Sequence, residues 1–215
     1  MTLTEDFVLL YLAEALQPFF KPQGYLYLPG KKQFRRSDEQ GFQNLILSVA
    51  PYDDAVLLEF HFGLRLHAVE NIVQRFTRTL PGFYPDAHTC ILSEGRLTGR
   101  PYLRHTCRHT EDLDKALHHL RMLWTHRAEP YLDEHYSLEG VDLLLNARPD
   151  LPSIYLPNPA HRYLKGLVVA RLLQREDFES LARTYAEGLR QTPTGDLLSE
   201  DYQRLWGYLR QMSFN

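Results

Sequence analysis

Cysteine is scarce in this sequence, with two residues in a chain of 215. Two cysteines cannot form a disulfide framework, and such low usage is typical of a reducing compartment. No apolar run approaches the roughly 18 to 20 residues that a membrane-spanning helix needs. The opening MTLTEDFVLLYLAEALQ also lacks the basic start and the cleavage site of a secretory signal peptide. We therefore expect a cytoplasmic protein with no membrane partner.

Neither sign of charge dominates, since 24 basic and 27 acidic residues leave a formal net charge of −3. A nearly neutral chain has no global field that attracts nucleic acid, so we do not expect nucleic acid as its partner. Four familiar motifs are also missing: Gly-x-Gly-x-x-Gly, the phosphate-binding Gly-Lys-Ser/Thr loop, Gly-x-Ser-x-Gly and Cys-x-x-Cys. Their absence argues against an enzyme without excluding one.

Hydrophobic residues make up 44% of the chain, which is enough to bury a substantial core. Period-two alternation predicts strands up to residue 108, and helical spacing prevails beyond residue 137. The sequence thus predicts an α+β fold: an antiparallel sheet of about six strands flanked by helices, with a C-terminal helical subdomain. The flanking helices are predicted at residues 4–20, 68–80 and 110–130. The predicted domains are residues 1–136 and residues 137–215, and the two can still pack as one unit.

Cationic residues are concentrated after the first predicted helix. Residues 25–36 alternate around Pro29-Gly30, which predicts a β-hairpin with a type II turn. Neighbouring side chains on a strand point to opposite faces, so these cations cannot all converge on one ligand. We interpret the segment as an exposed hairpin whose lysines discourage edge pairing; the alternative is a basic strip that contacts nucleic acid or an acidic partner. The basic hairpin comprises Lys31, Lys32, Arg35 and Arg36.

A His-x-Cys spacing occurs on two predicted neighbouring strands, and its members are His88, Cys90, His105 and Cys107. If the connecting turn centres after Leu97, His88 lies opposite Cys107 and Cys90 opposite His105, all on one face of the sheet. Such a cluster could bind zinc, although a flat patch needs a bend to form the zinc tetrahedron. We nevertheless interpret these residues as buried structural cysteines beside solvated histidines, with no cofactor, and keep the zinc site as the alternative.

The predicted helix at residues 110–130 carries His118, Met122 and His126 at a spacing of four residues. The metalloprotease signature His-Glu-x-x-His is absent from it, so we interpret these residues as an exposed stripe.

Short motifs in the first third of the chain carry a resemblance to a known family. These motifs are Leu16-x-Pro18, Lys21-Pro22-x-Gly24-Tyr25, Phe34-x-Arg36, Gly41-Phe42 and Phe60-x-Phe62-Gly63-Leu64. In this order they resemble a group of small bacterial domains of unknown function with an L-x-P-x-G-F/Y…F-x-R opening, over about residues 4–130. The resemblance implies a helix-flanked antiparallel sheet. Because such domains are associated with toxin–immunity neighbourhoods, it also implies a stoichiometric inhibitor without catalytic residues.

We therefore predict a non-catalytic protein-binding module, such as an immunity-type inhibitor, which masks a partner protein by steric and electrostatic occlusion. The predicted contact surface is an exposed sheet face or the acidic residues Asp53, Asp54, Asp133 and Glu134. Each of these acids taken singly is better explained as solvated charge. Two alternatives remain: a zinc-dependent hydrolase that uses the His/Cys cluster, and a nucleic-acid-binding protein that uses the basic hairpin.

Overall fold

The structure, a computed structural model, describes residues 3–78, 80–192 and 195–214. It has the predicted α+β fold, with a six-stranded sheet followed by C-terminal helices. The strands are β1 (Leu26–Leu28), β2 (Gln33–Ser37), β3 (Gly41–Tyr52), β4 (Ala55–Leu66), β5 (Cys90–Ser93) and β6 (His105–Cys107). The α-helices are α1 (Glu5–Phe20), α2 (His67–Val73), α3 (Glu94–Leu97), α4 (Thr110–Leu123), α5 (Glu129–His135), α6 (Leu138–Asn146), α7 (Pro159–Leu172), α8 (Phe178–Arg190) and α9 (Gly195–Gln211).

The chain divides into two compact units. The first comprises Met1–Leu64 and Ile91–Glu134, and the second comprises Arg65–Cys90 and His135–Asn215. The second unit therefore takes the segment 65–90, which the sequence analysis assigned to the sheet domain. The reason is that α2 buries its apolar face, including Val69 and Val73, in contact with α7. In the described part of the chain, no helix is both long enough and apolar enough to cross a bilayer.

The first four strands follow one another across the sheet in chain order, as their period-two pattern predicts. β1 and β2 are antiparallel, with Tyr27 opposite Phe34. Their connection differs from the predicted two-residue turn: a 3₁₀ turn over Pro29–Lys31 ends at Lys32, whose φ is 50°. After this loop β2 pairs with both β1 and β3, and its first two residues, Gln33 and Phe34, are buried.

The last two strands do not form the predicted hairpin. β6 pairs antiparallel with β4, which places His105 opposite Leu58 and Cys107 opposite Val56. The predicted pairing of His88 with Cys107 and of Cys90 with His105 is therefore wrong. The physical reason lies in the connection, because Ser93 accepts a hydrogen bond from the Arg96 amide and caps α3, which ends β5.

The helices of the two units also differ in detail from the predicted ones. α2 ends at Val73 instead of Leu80, because the threonines that precede Pro81 are poor helix formers and proline disfavours helix in the residue before it. In the first unit, α4 passes into a π-helical turn, Trp124–Ala128, before α5 begins. The fully buried Trp124 ring packs edge-on against Phe20, with a centroid distance of 4.6 Å. It is thus part of the aromatic core beneath the sheet.

Candidate metal centre

Three potential metal ligands converge in the first unit. The Nε2 atom of His105 lies 3.1 Å and 3.0 Å from the two carboxylate oxygens of Glu94. The Nε2 atom of His119 lies 2.6 Å from Oε1 of the same carboxylate. One ligand atom from each of the three residues lies within 4.8 Å of the others, and no other such group of three His, Cys, Asp or Glu occurs among the described residues.

Each ligand is positioned by a different element. His105 shares the sheet face of its β4 neighbour Leu58, and its ring lies 5.5 Å from that of Phe60. His119 lies at the flank of the buried stripe of α4, three residues after Ala116 and four before Leu123.

Glu94 is the first residue of α3, whose tight turn depends on a neighbouring glycine. A Cβ atom at Gly95 would stand 2.3 Å from the carbonyl oxygen of Arg100, so only glycine lets the returning chain come this close. The Gly95 carbonyl accepts a hydrogen bond from the Arg100 amide at 2.6 Å, which closes the loop. The loop therefore holds the Glu94 carboxylate in one place.

Burial divides this site into a closed side and an open side. The Glu94 side chain is fully buried, and that of His105 is 18% exposed. The His119 side chain is 45% exposed and lines a cavity of about 270 Å³. A fully buried carboxylate costs several kcal/mol unless neighbouring groups compensate its charge. Here the Nε2 atoms of two imidazoles can supply that compensation, as N–H hydrogen-bond donors or as co-ligands of a cation.

The donor set matches the preferences of divalent transition metals. Zinc is bound by histidine nitrogens and carboxylate oxygens at about 2.0 to 2.2 Å, which places neighbouring ligand atoms of a tetrahedron about 3.4 Å apart. The separations between His105 and Glu94 are within a few tenths of an ångström of that value. His119 stands closer to the carboxylate than this, but its half-exposed side chain has room to withdraw. Two histidines and one carboxylate leave a coordination position open.

The His-x-Cys residues do not form the ligand set predicted from their spacing. Of the four, only His105 belongs to a group of three potential ligands in the described part of the chain. Burial raises the pKa of Cys90 to about 12 and that of Cys107 to about 11, so both remain thiols at neutral pH. Both side chains are buried, so these cysteines behave as small apolar residues of the core. The backbone carbonyl of His88 accepts a hydrogen bond from the Lys165 ammonium group.

The basic hairpin does not gather its cations around one ligand. Lys31 lies at the end of the 3₁₀ turn, and Lys32 forms an ion pair with Glu5. The guanidinium of Arg35 lies over the Phe42 ring, 3.8 Å from its centroid.

Arg36 points to the other face of the hairpin. It donates to the Gln43 side chain and pairs with Asp133. Arg35 and Arg36 of β2 thus point to opposite faces of the sheet, as the strand alternation predicts, whereas Lys31 and Lys32 belong to the turn.

The acidic residues lie at two places in the first unit. Asp53 and Asp54 form the turn between β3 and β4, whereas Asp133 and Glu134 lie near the end of α5. A hydrogen bond from Arg108 at 2.9 Å lowers the pKa of Asp54. Since Asp133 is also paired with an arginine, part of the predicted acidic charge is compensated within the unit.

Sequence reasoning missed Glu94 and His119. Glu94 stands in a segment that the sequence analysis took for the loop of a hairpin, and His119 is next to the exposed stripe that starts at His118. One available signal was the Ser93-Glu94-Gly95 run, which reads as a helix start. This run does not indicate that Glu94 has histidine neighbours, because the three potential ligands are separated in sequence and meet only in the folded chain.

No family model, curated protein or solved structure matches this chain. The resemblance to immunity-associated bacterial domains therefore stays a prediction, and function has to be argued from the site.

Proposed function

We propose that the first unit binds a divalent transition metal through Glu94, His105 and His119 and acts as a metal-dependent hydrolase. Zinc is the metal that we expect. The observation that carries this proposal is the convergence of two imidazole Nε2 atoms on one fully buried carboxylate. Catalytic zinc sites have three protein ligands and an open position, whereas structural zinc sites are closed by four. With three potential ligands, the donor set of this unit agrees in number with a catalytic zinc site.

Accessibility supports hydrolysis over a purely structural role. His119 lines the cavity, so water and a small ligand can reach the donor atoms. Zinc lowers the pKa of a bound water to about 7, which makes that water a nucleophile at neutral pH. In this proposal Glu94, His105 and His119 would hold the metal, which would supply an activated water for hydrolysis of a carbonyl or phosphoryl compound.

Masking of a partner protein remains a proposal with less support. Its predicted acidic surface is partly neutralised by ion pairs within the first unit, from Arg108 to Asp54 and from Arg36 to Asp133. Exposed pairs of this kind contribute little to stability, so a partner could still displace them. They do not, however, mark a binding surface.

Metal content of the purified protein tests the zinc proposal directly. The full chain, purified without a polyhistidine tag and dialysed against metal-free buffer, should retain about one zinc per chain by plasma mass spectrometry. His119→Ala and Glu94→Gln should lower the retained zinc at least tenfold. His119 is half exposed, so its loss should leave the fold intact, which the thermal melt of the variant checks.

Two matched variants act as controls. His118→Ala removes the neighbouring, exposed histidine of α4 and should keep the zinc. Cys107→Ala should also keep it, and the cobalt-substituted protein should lack the thiolate charge-transfer band that cysteine ligation produces. A wild-type protein without metal after growth in zinc, or a His119→Ala variant that retains zinc, would contradict the proposal.

A further inference from the structure

The cavity beside His119 carries an excess of positive charge. Its lining includes Arg100 and Arg127, and no carboxylate is among the described residues that line it. In the described part of the chain, neither of these guanidinium groups makes a hydrogen bond or an ion pair with another side chain. By contrast, Arg104 of the same unit lies 3.5 Å from Glu59. The cavity thus presents cationic groups whose hydrogen-bond donors are available to a ligand.

These cationic groups stand on elements with fixed backbones. The Arg100 amide donates to the Gly95 carbonyl and its own carbonyl accepts from the Leu103 amide at 2.9 Å, so the backbone of Arg100 is held on both sides. Arg127 belongs to the π-helical turn, whose Trp124 and Ala128 are fully buried. Single π-turns inside helices are frequent at functional sites. The loop that fixes Glu94 therefore also fixes one of the two arginines.

We infer that this cavity binds an oxyanion, and that the substrate of the proposed metal site carries a phosphate or carboxylate group held by Arg100 and Arg127. A guanidinium matches the oxygens of phosphate and carboxylate with two parallel N–H donors. His119 belongs both to the lining of the cavity and to the set of potential ligands, so an anion held in the cavity would lie beside the proposed metal site. This inference about substrate class rests on the proposed metal-dependent function.

The size of the cavity limits the ligand. About 270 Å³ is slightly below the range of roughly 300 to 1,000 Å³ that is usual for small-molecule pockets. It has room for an anionic group and a few further atoms. Met122, which is 49% exposed, offers an apolar contact at its edge. The class indicated is a small phosphorylated or carboxylated molecule, or the anionic end of a longer one.

Binding of inorganic phosphate tests this inference. The zinc-loaded full chain, free of excess metal, is titrated with phosphate by calorimetry and should show saturable binding. Arg100→Ala/Arg127→Ala should weaken that binding at least tenfold with unchanged zinc content and thermal melting. Arg183→Ala/Arg190→Ala removes the same charge from exposed positions of α8 in the second unit and should bind phosphate as the wild type does.

The outcomes separate the two proposals. Equal phosphate affinity of the Arg100→Ala/Arg127→Ala variant and the wild type, or the absence of saturable binding to the wild type, would overturn the oxyanion site. If the wild-type chain retains no zinc but still binds phosphate, and the double variant does not bind it, the metal proposal is refuted and the oxyanion site is supported. An ester that carries a remote phosphate group should also be hydrolysed with a higher kcat/KM than the same ester without that group, and the double variant should lose this preference.

Discussion

Glu70 and Glu94 are both buried carboxylates, but their partners differ. Glu70 meets the Lys165 ammonium group at 3.1 Å and the Thr89 hydroxyl at 3.1 Å, and both partners are buried. That group is closed to solvent and forms an internal ion pair of the second unit. Glu94 has a half-exposed imidazole as a partner instead. Accessibility thus distinguishes a structural carboxylate from one that a metal ion can reach.

The buried ion pair has a consequence for a nearby histidine. Burial, with a further contribution from the Lys165 ammonium group, lowers the pKa of His161 below the ordinary value of about 6.5. The folded chain therefore keeps His161 neutral at a pH where the unfolded chain protonates it. The unfolded state then binds more protons, so the free energy of unfolding falls as the pH drops below about 6.5.

Urea unfolding at about pH 7.5 and about pH 5.5, on either side of the ordinary histidine pKa, measures this effect. The loss of unfolding free energy on acidification should be smaller in His161→Gln than in the wild type. His118→Gln, at an exposed position, should lose as much as the wild type. Chelator in all samples removes any contribution of bound metal. Equal losses in wild type and His161→Gln would contradict the assigned role of His161.

At the scale of elements, α7 is the most crowded helix of the second unit. It contacts α2, α6, α8 and α9. Gly166 of α7 lets α6 and α8 pack closely against this helix. A Cβ atom at Gly166 would lie 2.4 Å from Oδ1 of Asn146 on α6 and 3.0 Å from the ring of Tyr185 on α8. Asn146 cannot easily move, since its amide donates to the Gly166 carbonyl at 2.9 Å and its Oδ1 accepts from the Tyr185 hydroxyl.

Gly166→Ala should therefore destabilise the second unit although alanine is the better helix former. Overpacking costs about 1 to 3 kcal/mol, and for a contact as short as 2.4 Å we expect the upper part of that range, about 2 to 3 kcal/mol. The gain in helix propensity is about 1 kcal/mol, so the net loss should be about 1 to 2 kcal/mol. Gly207→Ala on α9 is the matched control, because nothing lies within 4 Å of its Cβ position. It should raise the unfolding free energy by up to about 1 kcal/mol. Denaturant unfolding checks both, and a Gly166→Ala protein as stable as the wild type would refute the packing argument.

Local sequence patterns predicted the helices and strands better than they predicted which strands pair with each other. The capping residue Thr4 and the helical spacing after it predict α1, and the structure confirms the helix and its cap. The predicted apolar stripe from Phe7 to Ala15 is not the buried face, because Leu10 is 60% exposed; the buried residues of α1 are Val8, Leu9, Leu12, Ala13, Leu16 and Phe20. The hairpin of β1 and β2 follows from alternation over a few residues. The partner of β6 could not be predicted in this way, since it is β4, more than forty residues away. A strand of three residues has too little pattern to choose between distant edges.

At the scale of the whole molecule, the second unit is discontinuous in sequence. The segment Arg65–Cys90 contributes the buried residues of α2 and the carboxylate partner of Lys165. A fragment of residues 137–215 would leave the apolar face of α7 that contacts α2 exposed to water, and would leave a buried ammonium group without its counter-charge. The cut that the sequence suggests after residue 136 therefore does not release a complete folding unit.

Fragment 137–215 should consequently lack a cooperative thermal transition by circular dichroism. A fragment that joins residues 65–90 to residues 135–215 through a long flexible linker should recover one, because it restores α2 and Glu70. Cooperative unfolding of fragment 137–215 alone, at the temperature found for the joined fragment, would show that α2 is dispensable.

The sequence by itself determined the α+β class, most of the helices and the order of the first four strands. It also offered the burial of both cysteines as one of two interpretations. These features depend on periodicity, capping and turn residues within a few positions of one another. Only the tertiary structure decided that Glu94, His105 and His119 share one site. Their meeting requires a strand pairing, a helix start and a helix flank to coincide, and no local pattern in the chain encodes that coincidence.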